Sequence, residues 1–286
     1  MTVPWVPDTI CETHEWRSSQ GEVIRFVTRT QAKERFMPPV TLETIRVPQA
    51  QGARFRGARH EARLATIPVV VPGPDAGRQE LRRWARALDP LKGEGTLTVV
   101  QGAFAGRQLV CAYEAGLESW SEDFPLLGLT TLAFRAADPY WQDANASTVT
   151  SGTNPNSFTW FPFFPLILGD DRNVFVSYTV TNAGDVDAWP VVEVTGPGAG
   201  LRIENTTTGE HLEITQNIPA AAKLTIDTRP GHKTVSMGGT NGFSWLTADS
   251  SLWPLVPGAN RITVLMTGAT PASRVSFTWR NRWLAA

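Results

Sequence analysis

Short runs of alternating side chains, cut by turns, constrain the second half of this 286-residue chain most. Val174, Val176, Tyr178 and Val180 alternate with polar residues; so do Ile262, Val264 and Met266, and Val275, Phe277 and Trp279. Leu201 and Ile203 precede the turn NTTTG, and Leu212 and Ile214 follow it. Leu224 and Ile226 form a further pair, and Val191 to Val194 follows Pro190. Successive strand side chains point to opposite faces, so each run has one face to bury. Short alternating strands with turns every ~8–12 residues read as a β-sandwich. No helix pattern interrupts them.

The first half carries the one clear helix. After the break PGPD at residues 72–75, Leu81, Trp84, Ala85 and Leu88 recur at i, i+3, i+4 and i+7, an apolar stripe expected to be the helix's core face. Arg78, Arg82, Arg83 and Arg86 lie off that stripe. Asp75 is the expected N-cap, and Pro90 marks the end because it has no N–H to give a helix bond. Around the helix the pattern is β. Strands are expected over 21–30, 41–47, 96–101, 107–113 and 129–136, with one long run over 54–71 in which Pro68 suggests an edge position or a bulge.

Two domains follow from length and from this change of pattern: residues 1–143, and residues 144–286. The polar stretch ANASTVTSGTNPNS is expected to be linker or exposed loop. Just before it stands FRAADPYWQD, with Asp138, Pro139, Tyr140 and Trp141 at the expected domain joint. Two carboxylates around aromatic rings also suit a glycosidase site, but a retaining pair must sit about 5–5.5 Å apart, and Asp138 and Asp143 have no partner in sequence to set that spacing. Asp185 and Asp187 lack the glycine and distal glutamate of a calcium loop and read as a turn.

Charge excludes a nucleic-acid trap. There are 26 basic and 27 acidic residues, split 17 to 17 before the boundary and 9 to 10 after it. Sequence-specific nucleic-acid readers usually carry a basic excess. The four histidines have no metal spacing, and Cys11 and Cys111 are too few and too far apart for a disulfide scaffold. No nucleophile elbow, phosphate loop or cofactor fingerprint is present, so neither an enzyme nor a cofactor is expected. No run is apolar enough for a membrane span, and no signal peptide is visible, so synthesis in the cytoplasm is expected. Among 11 tryptophans, Trp160, Trp189, Trp245 and Trp253 lie in the strand-rich half. They either fill a core or present faces to sugars, and Trp245 and Trp253 are the candidate carbohydrate contacts.

Several pieces stand together in a recognisable order. They are VVVPGPDAGRQELRRWARALDPL, the hairpin GTLTVVQGAFAGRQLVCAYEAGLE, the strand end LTTLAFRAADPYW, the turn and strand TNAGDVDAWPVVEVTGP, and the closing WPLVPGANRITV and VSFTWRNRWL. In this order they resemble the distal tail proteins of long, non-contractile-tailed bacteriophages, the siphovirus tail component family. The first 20 residues, with Trp5 and Trp16, fall outside the matching pieces. The resemblance implies a mainly β protein. Its first part would be a belt domain, a β-sandwich or split barrel with one helix, similar to tail-tube proteins. Its second would be a galectin-like or carbohydrate-module-like sandwich. It implies a homohexameric ring in the virion's tail tip, joining the tail tube to the tip or baseplate, with DNA passing through its channel. Implied partners are the tail tube protein, the tail-tip hub or tail-associated protein, the tape measure protein, a receptor-binding protein and a host glycan. The alternative function is a host-recognition module binding carbohydrate through the C-terminal sandwich.

Overall fold

A computed structural model describes residues 12–28, 36–46, 48–49, 51–72, 74–102, 105–118, 127–152, 174–270 and 272–285. Trp5, Cys11 and Trp160 lie outside them. The chain is mainly β, with one α-helix, and divides into two compact units: residues 1–144 with 283–286, and residues 145–282. The last four residues thus return to the first unit.

The first unit contains β1 (Glu12–Arg17), β2 (Val23–Thr28), β3 (Val40–Ile45), β4 (Arg54–His60), β5 (Arg63–Pro72), α1 (Pro74–Ala87), β6 (Gly95–Gln101), β7 (Arg107–Ala115), β8 (Leu127–Ala136) and β9 (Trp141–Asp143). The main sheet runs β2-β1-β6-β7-β8-β5, with β9 alongside β7. The sheet curls until its end strands β2 and β5 approach each other, and α1 lies against both. Alternation explains the core. Ala65, Ile67 and Val69 of β5, Leu97 and Val99 of β6, Leu109 and Cys111 of β7, and Leu132 and Phe134 of β8 all point inward. The buried Cys111 thiol has its pKa pushed far up by burial, which keeps it protonated and unreactive. Pro68 sits on β5, the end strand of the sheet, where proline is tolerated best.

The helix fits its sheet through Trp84 and Leu88, both buried, with Leu81 half-buried against the same core. Trp84 meets Phe26 edge-to-face at 5.0 Å, and Arg83 donates to the Val23 carbonyl at 2.7 Å. The expected face needs one correction. Ala85 is exposed and Ala87 is buried in its place. One residue turns a helix by about 100°, so a stripe centred on Trp84 carries Ala85 to its rim and Ala87 inward. The cap is corrected too. Pro74 is the first helical residue, where a proline's missing N–H is harmless, so Asp75 lies inside the first turn.

Two further expectations change. The first strand is β1, with Trp16 in the core, where the sequence suggested nothing regular before residue 21. Its burial alternates as a strand should, but Glu12 and His14 occupy the inward positions with Trp16 and hide the pattern. Gly95 on neighbouring β6 leaves room for the Trp16 indole; a Cβ there would collide with the ring and with the Arg17 carbonyl. The long run over 54–71 breaks at Glu61–Ala62. Its first part, β4, pairs only with β3 in a two-stranded ribbon, and its second part, β5, joins the main sheet.

The second unit contains β10 (Ser147–Gly152), β11 (Val174–Asn182), β12 (Val191–Thr195), β13 (Ala199–Asn205), β14 (Glu210–Ile214), β15 (Lys223–Asp227), β16 (Thr234–Met237), β17 (Thr240–Asn241), β18 (Gly258–Thr267) and β19 (Arg274–Trp279). A last short strand, β20 (Arg282–Trp283), pairs β9. Two sheets, β10-β19-β12-β15-β16-β17 and β11-β18-β13-β14, enclose one core. Val192, Val194, Leu224, Ile226, Val275 and Phe277 face Leu201, Ile203, Leu212, Ile214, Ile262 and Val264 across it. This is the sandwich that the alternation predicts. Part of the expected linker is strand: Ser147–Gly152 pairs with Arg274–Trp279 on the sheet edge. Thr148 and Thr150 hydrogen-bond to Thr278 and Ser276 across that pair, which is why a polar sequence holds an edge position.

Candidate functional site

The four residues of the expected joint lie in the first unit. Trp141 is buried in its core. Arg63, a buried arginine, donates from Nε to the Pro139 carbonyl at 2.6 Å and from its guanidinium to the Leu284 carbonyl at 2.7 Å. The His60 ring and the Tyr140 hydroxyl share a hydrogen bond of 2.7 Å, and Asp138 Oδ1 accepts from the Tyr140 N–H at 3.4 Å. Asp143 pairs with Arg107 and accepts from Trp283 Nε1 at 2.9 Å, while the Arg107 guanidinium lies 3.6 Å over the Trp283 ring. Asp143 is therefore held by a cation and an indole donor, a clamp on the returning C-terminus. Arg63 and Trp283 are the residues that reading along the sequence missed. Both act across long separations in the chain, and no local pattern marks them.

The second unit is closed by Asn182 and Asn281. Asn182 Nδ2 donates to the Val186 and Leu255 carbonyls at 3.0 and 2.9 Å, and its Oδ1 accepts from Gly184 N–H at 2.9 Å. Asn281 Oδ1 accepts from Ala183 N–H at 3.1 Å. Gly184 passes so close to Arg282 that any Cβ would collide with its carbonyl. The motif Asn-x-Gly-Asp is thus a turn organiser, and Asp185 and Asp187 are part of that turn.

The candidate sugar contacts separate. Trp253 is 1% exposed and stacks with Phe277 in the core, so it has no face to offer a sugar. This corrects its assignment. Trp245 is half-buried against the same core, beside Phe243, which is 43% exposed. Among the described residues, no three His, Cys, Asp or Glu side chains gather as a metal site, and no helix is long and apolar enough to cross a membrane.

The surface that stands out is the β3–β4 ribbon. Every residue of β3 is exposed, including Leu42 at 63%, and Phe55 on β4 is 67% exposed. Phe36 and Met37, just before it, are also exposed. A two-stranded hairpin alone is marginal in water, and clustered exposed apolar side chains mark contact surfaces.

Residues 183–283 match the family model described as Siphovirus-type tail component, C-terminal domain. The resemblance to siphovirus tail components is borne out. Among solved structures, the crystal structure of SPP1 Dit (gp 19.1), described as a paradigm of hub adsorption apparatus in Gram-positive infecting phages, matches with a TM-score of 0.67 at 15% identity. The match covers 94% of this chain and 98% of that one. The phage P2 baseplate in its activated conformation with calcium contains a chain that matches with a TM-score of 0.53 at 10% identity, covering 95% of this chain and 98% of that one. At these identities the matches show a shared fold over nearly the whole chain, first unit included. No curated protein sequence matches.

Proposed function

We propose that this chain is a structural protein of a long-tailed phage virion: the distal tail hub, a homohexameric ring joining the tail tube to the tip or baseplate around the DNA channel. The observation that carries this reading is the fold, shared over 94% of the chain with the SPP1 Dit protein. Partners are then other tail proteins, and the role is architectural, not catalytic. The exposed apolar ribbon supports it. A protein whose work is assembly must leave unburied the surface that its neighbours cover. A cyclic ring uses two different patches on each subunit, meeting head to tail.

Multi-angle light scattering with negative-stain imaging tests the reading. A closed ring in solution, or a ring labelled by antibody at the tail tip, is the expected outcome. A chain that is monomeric at every concentration and absent from purified tails overturns it.

The carbohydrate reading of the second unit now rests on Phe243 and Trp245 alone. Stacking on host cell-wall glycan should weaken with Trp245→Ala, by about 1–3 kcal/mol if the ring acts as a platform, on the analogy of base stacking. A broad glycan panel without binding removes it.

A further inference from the structure

We infer that the apolar face of the β3–β4 ribbon docks onto the Leu91 end of the first unit of a second copy of this chain. This rests on the ring reading above and names the two patches that meet.

The ribbon is two-faced. Its register places Val40 opposite His60, Leu42 opposite Ala58 and Thr44 opposite Phe55 on one side. Thr41 with Arg59, Glu43 with Gly57, and Ile45 with Arg54 share the other. The paired residues of the first side include no carboxylate or guanidinium, Arg56 stands unpaired at the register shift between Glu43 and Thr44, and Leu42 and Phe55 are largely in water. The ribbon's base is anchored, by the Glu61 N–H on the Pro39 carbonyl at 2.8 Å and by the His60–Tyr140 bond. It is presented, not loose.

Leu91 is the complementary knob. It is 95% exposed, on the 3-10 turn Pro90–Lys92 after α1. That turn is fixed from within by the Leu91 N–H on Asp89 Oδ1 at 3.1 Å, and from outside by Ser19 Oγ on the Lys92 carbonyl at 2.6 Å. Outside the ribbon and the residues leading into it, Leu91 and Val100 are the exposed large apolar side chains among the described residues of the first unit.

Charge selects the pairing. Arg46, Arg54 and Arg56 along the ribbon are exposed. A ribbon with strands about 4.8 Å apart is narrow enough for an arginine to reach past its edge. Leu91 is flanked by Asp89 and Glu94, and the turn tied to it by Ser19 carries Glu22. Lys92 of that turn donates to the Arg86 carbonyl at 2.7 Å, so three carboxylates stand near the knob against the Lys92 and Arg86 cations. An apolar face with a basic rim thus meets an apolar knob with an acidic rim. The two patches differ, so the contact is head to tail, as a ring requires.

Sedimentation velocity and native mass spectrometry of the full chain provide the test. Leu42→Asp with Phe55→Asp, and separately Leu91→Asp, should raise the concentration needed for assembly by about tenfold or more, as loss of a contact's apolar anchor does. All three side chains are exposed, so the circular dichroism spectrum and melting temperature of the variants should match wild type, and a fold defect is seen if present. Arg54→Glu with Arg56→Glu should also weaken assembly, and adding Glu22→Arg with Glu94→Arg should restore it. Variants that assemble like wild type overturn this inference and leave the ring standing. Failure of the charge swap to restore assembly overturns the choice of Leu91's end. A wild type that never assembles overturns both this inference and the ring.

Discussion

The two units share an all-antiparallel β construction and solve its surface differently. The second closes a sandwich on itself, and among its described residues Phe243 is the large apolar side chain left exposed. The first buries a comparable core, yet leaves Phe36, Met37, Val40, Leu42, Ile45, Phe55, Leu91 and Val100 in water. Burial of apolar surface drives folding, and while a single exposed apolar side chain is ordinary, a cluster of them marks a contact surface. The second unit leaves little apolar surface to be covered; the first leaves the surface that the proposed ring would cover.

The comparison is broken most directly in the cores. Trp253→Ala should destabilise the second unit by about 3–5 kcal/mol, and Trp84→Ala the first by a similar amount, since both indoles are buried. Calorimetry that resolves the two units checks this, and a loss under about 1 kcal/mol would show that the indole is not a core residue. A smaller effect, about 1.5–3 kcal/mol, is expected for Arg63→Met, which removes charged hydrogen bonds to the Pro139 and Leu284 carbonyls. Proteolysis of the C-terminal residues should speed up in that variant if Arg63 holds them. Asn182→Ala should cost the second unit about 1–3 kcal/mol, because it leaves buried backbone groups without partners. Smallest is the effect of Leu42→Ser on monomer stability, within about 0.5 kcal/mol, since the side chain is 63% exposed. A large loss there would mean that the ribbon's apolar face is packed within the chain, and the contrast between the units would fall.

Acid sharpens the comparison on the side of the second unit. Burial pushes the Asp227 carboxyl up, but hydrogen bonds and charge from Arg229 outweigh it, and the net pKa is lowered. A lowered carboxyl contributes stability above its ordinary pKa and loses it as pH falls through the folded value. Asp227→Asn should therefore flatten the loss of second-unit stability below about pH 4. An unchanged acid profile would show that Asp227 contributes nothing to it.

Legibility along the chain followed the range of the forces. The sandwich strands were readable because alternation is local, and Val275, Phe277 and Trp279 announce an inward face within five residues. The helix was readable for the same reason, apart from Ala85, whose position depends on how α1 rotates against β2 and β5. Strand β1 was not, because Glu12 and His14 stand where apolar residues were expected. Nothing near residue 61 says that β4 leaves the sheet while β5 joins it.

What the sequence determined by itself was period: where side chains alternate as in a strand, where the helix lies, that the pattern changes between two halves and that the ordered pieces resemble a phage tail component. Those properties depend on neighbours within a turn or a hairpin. What only the tertiary structure decided was partnership across the chain. It put Trp253 in a core and not on a surface, bound Arg63 and Trp283 to the exit from the first unit, and set the β3–β4 ribbon apart from the larger sheets. Burial and long-range hydrogen bonds are set by residues tens to hundreds of positions apart, and composition or spacing carries no record of them.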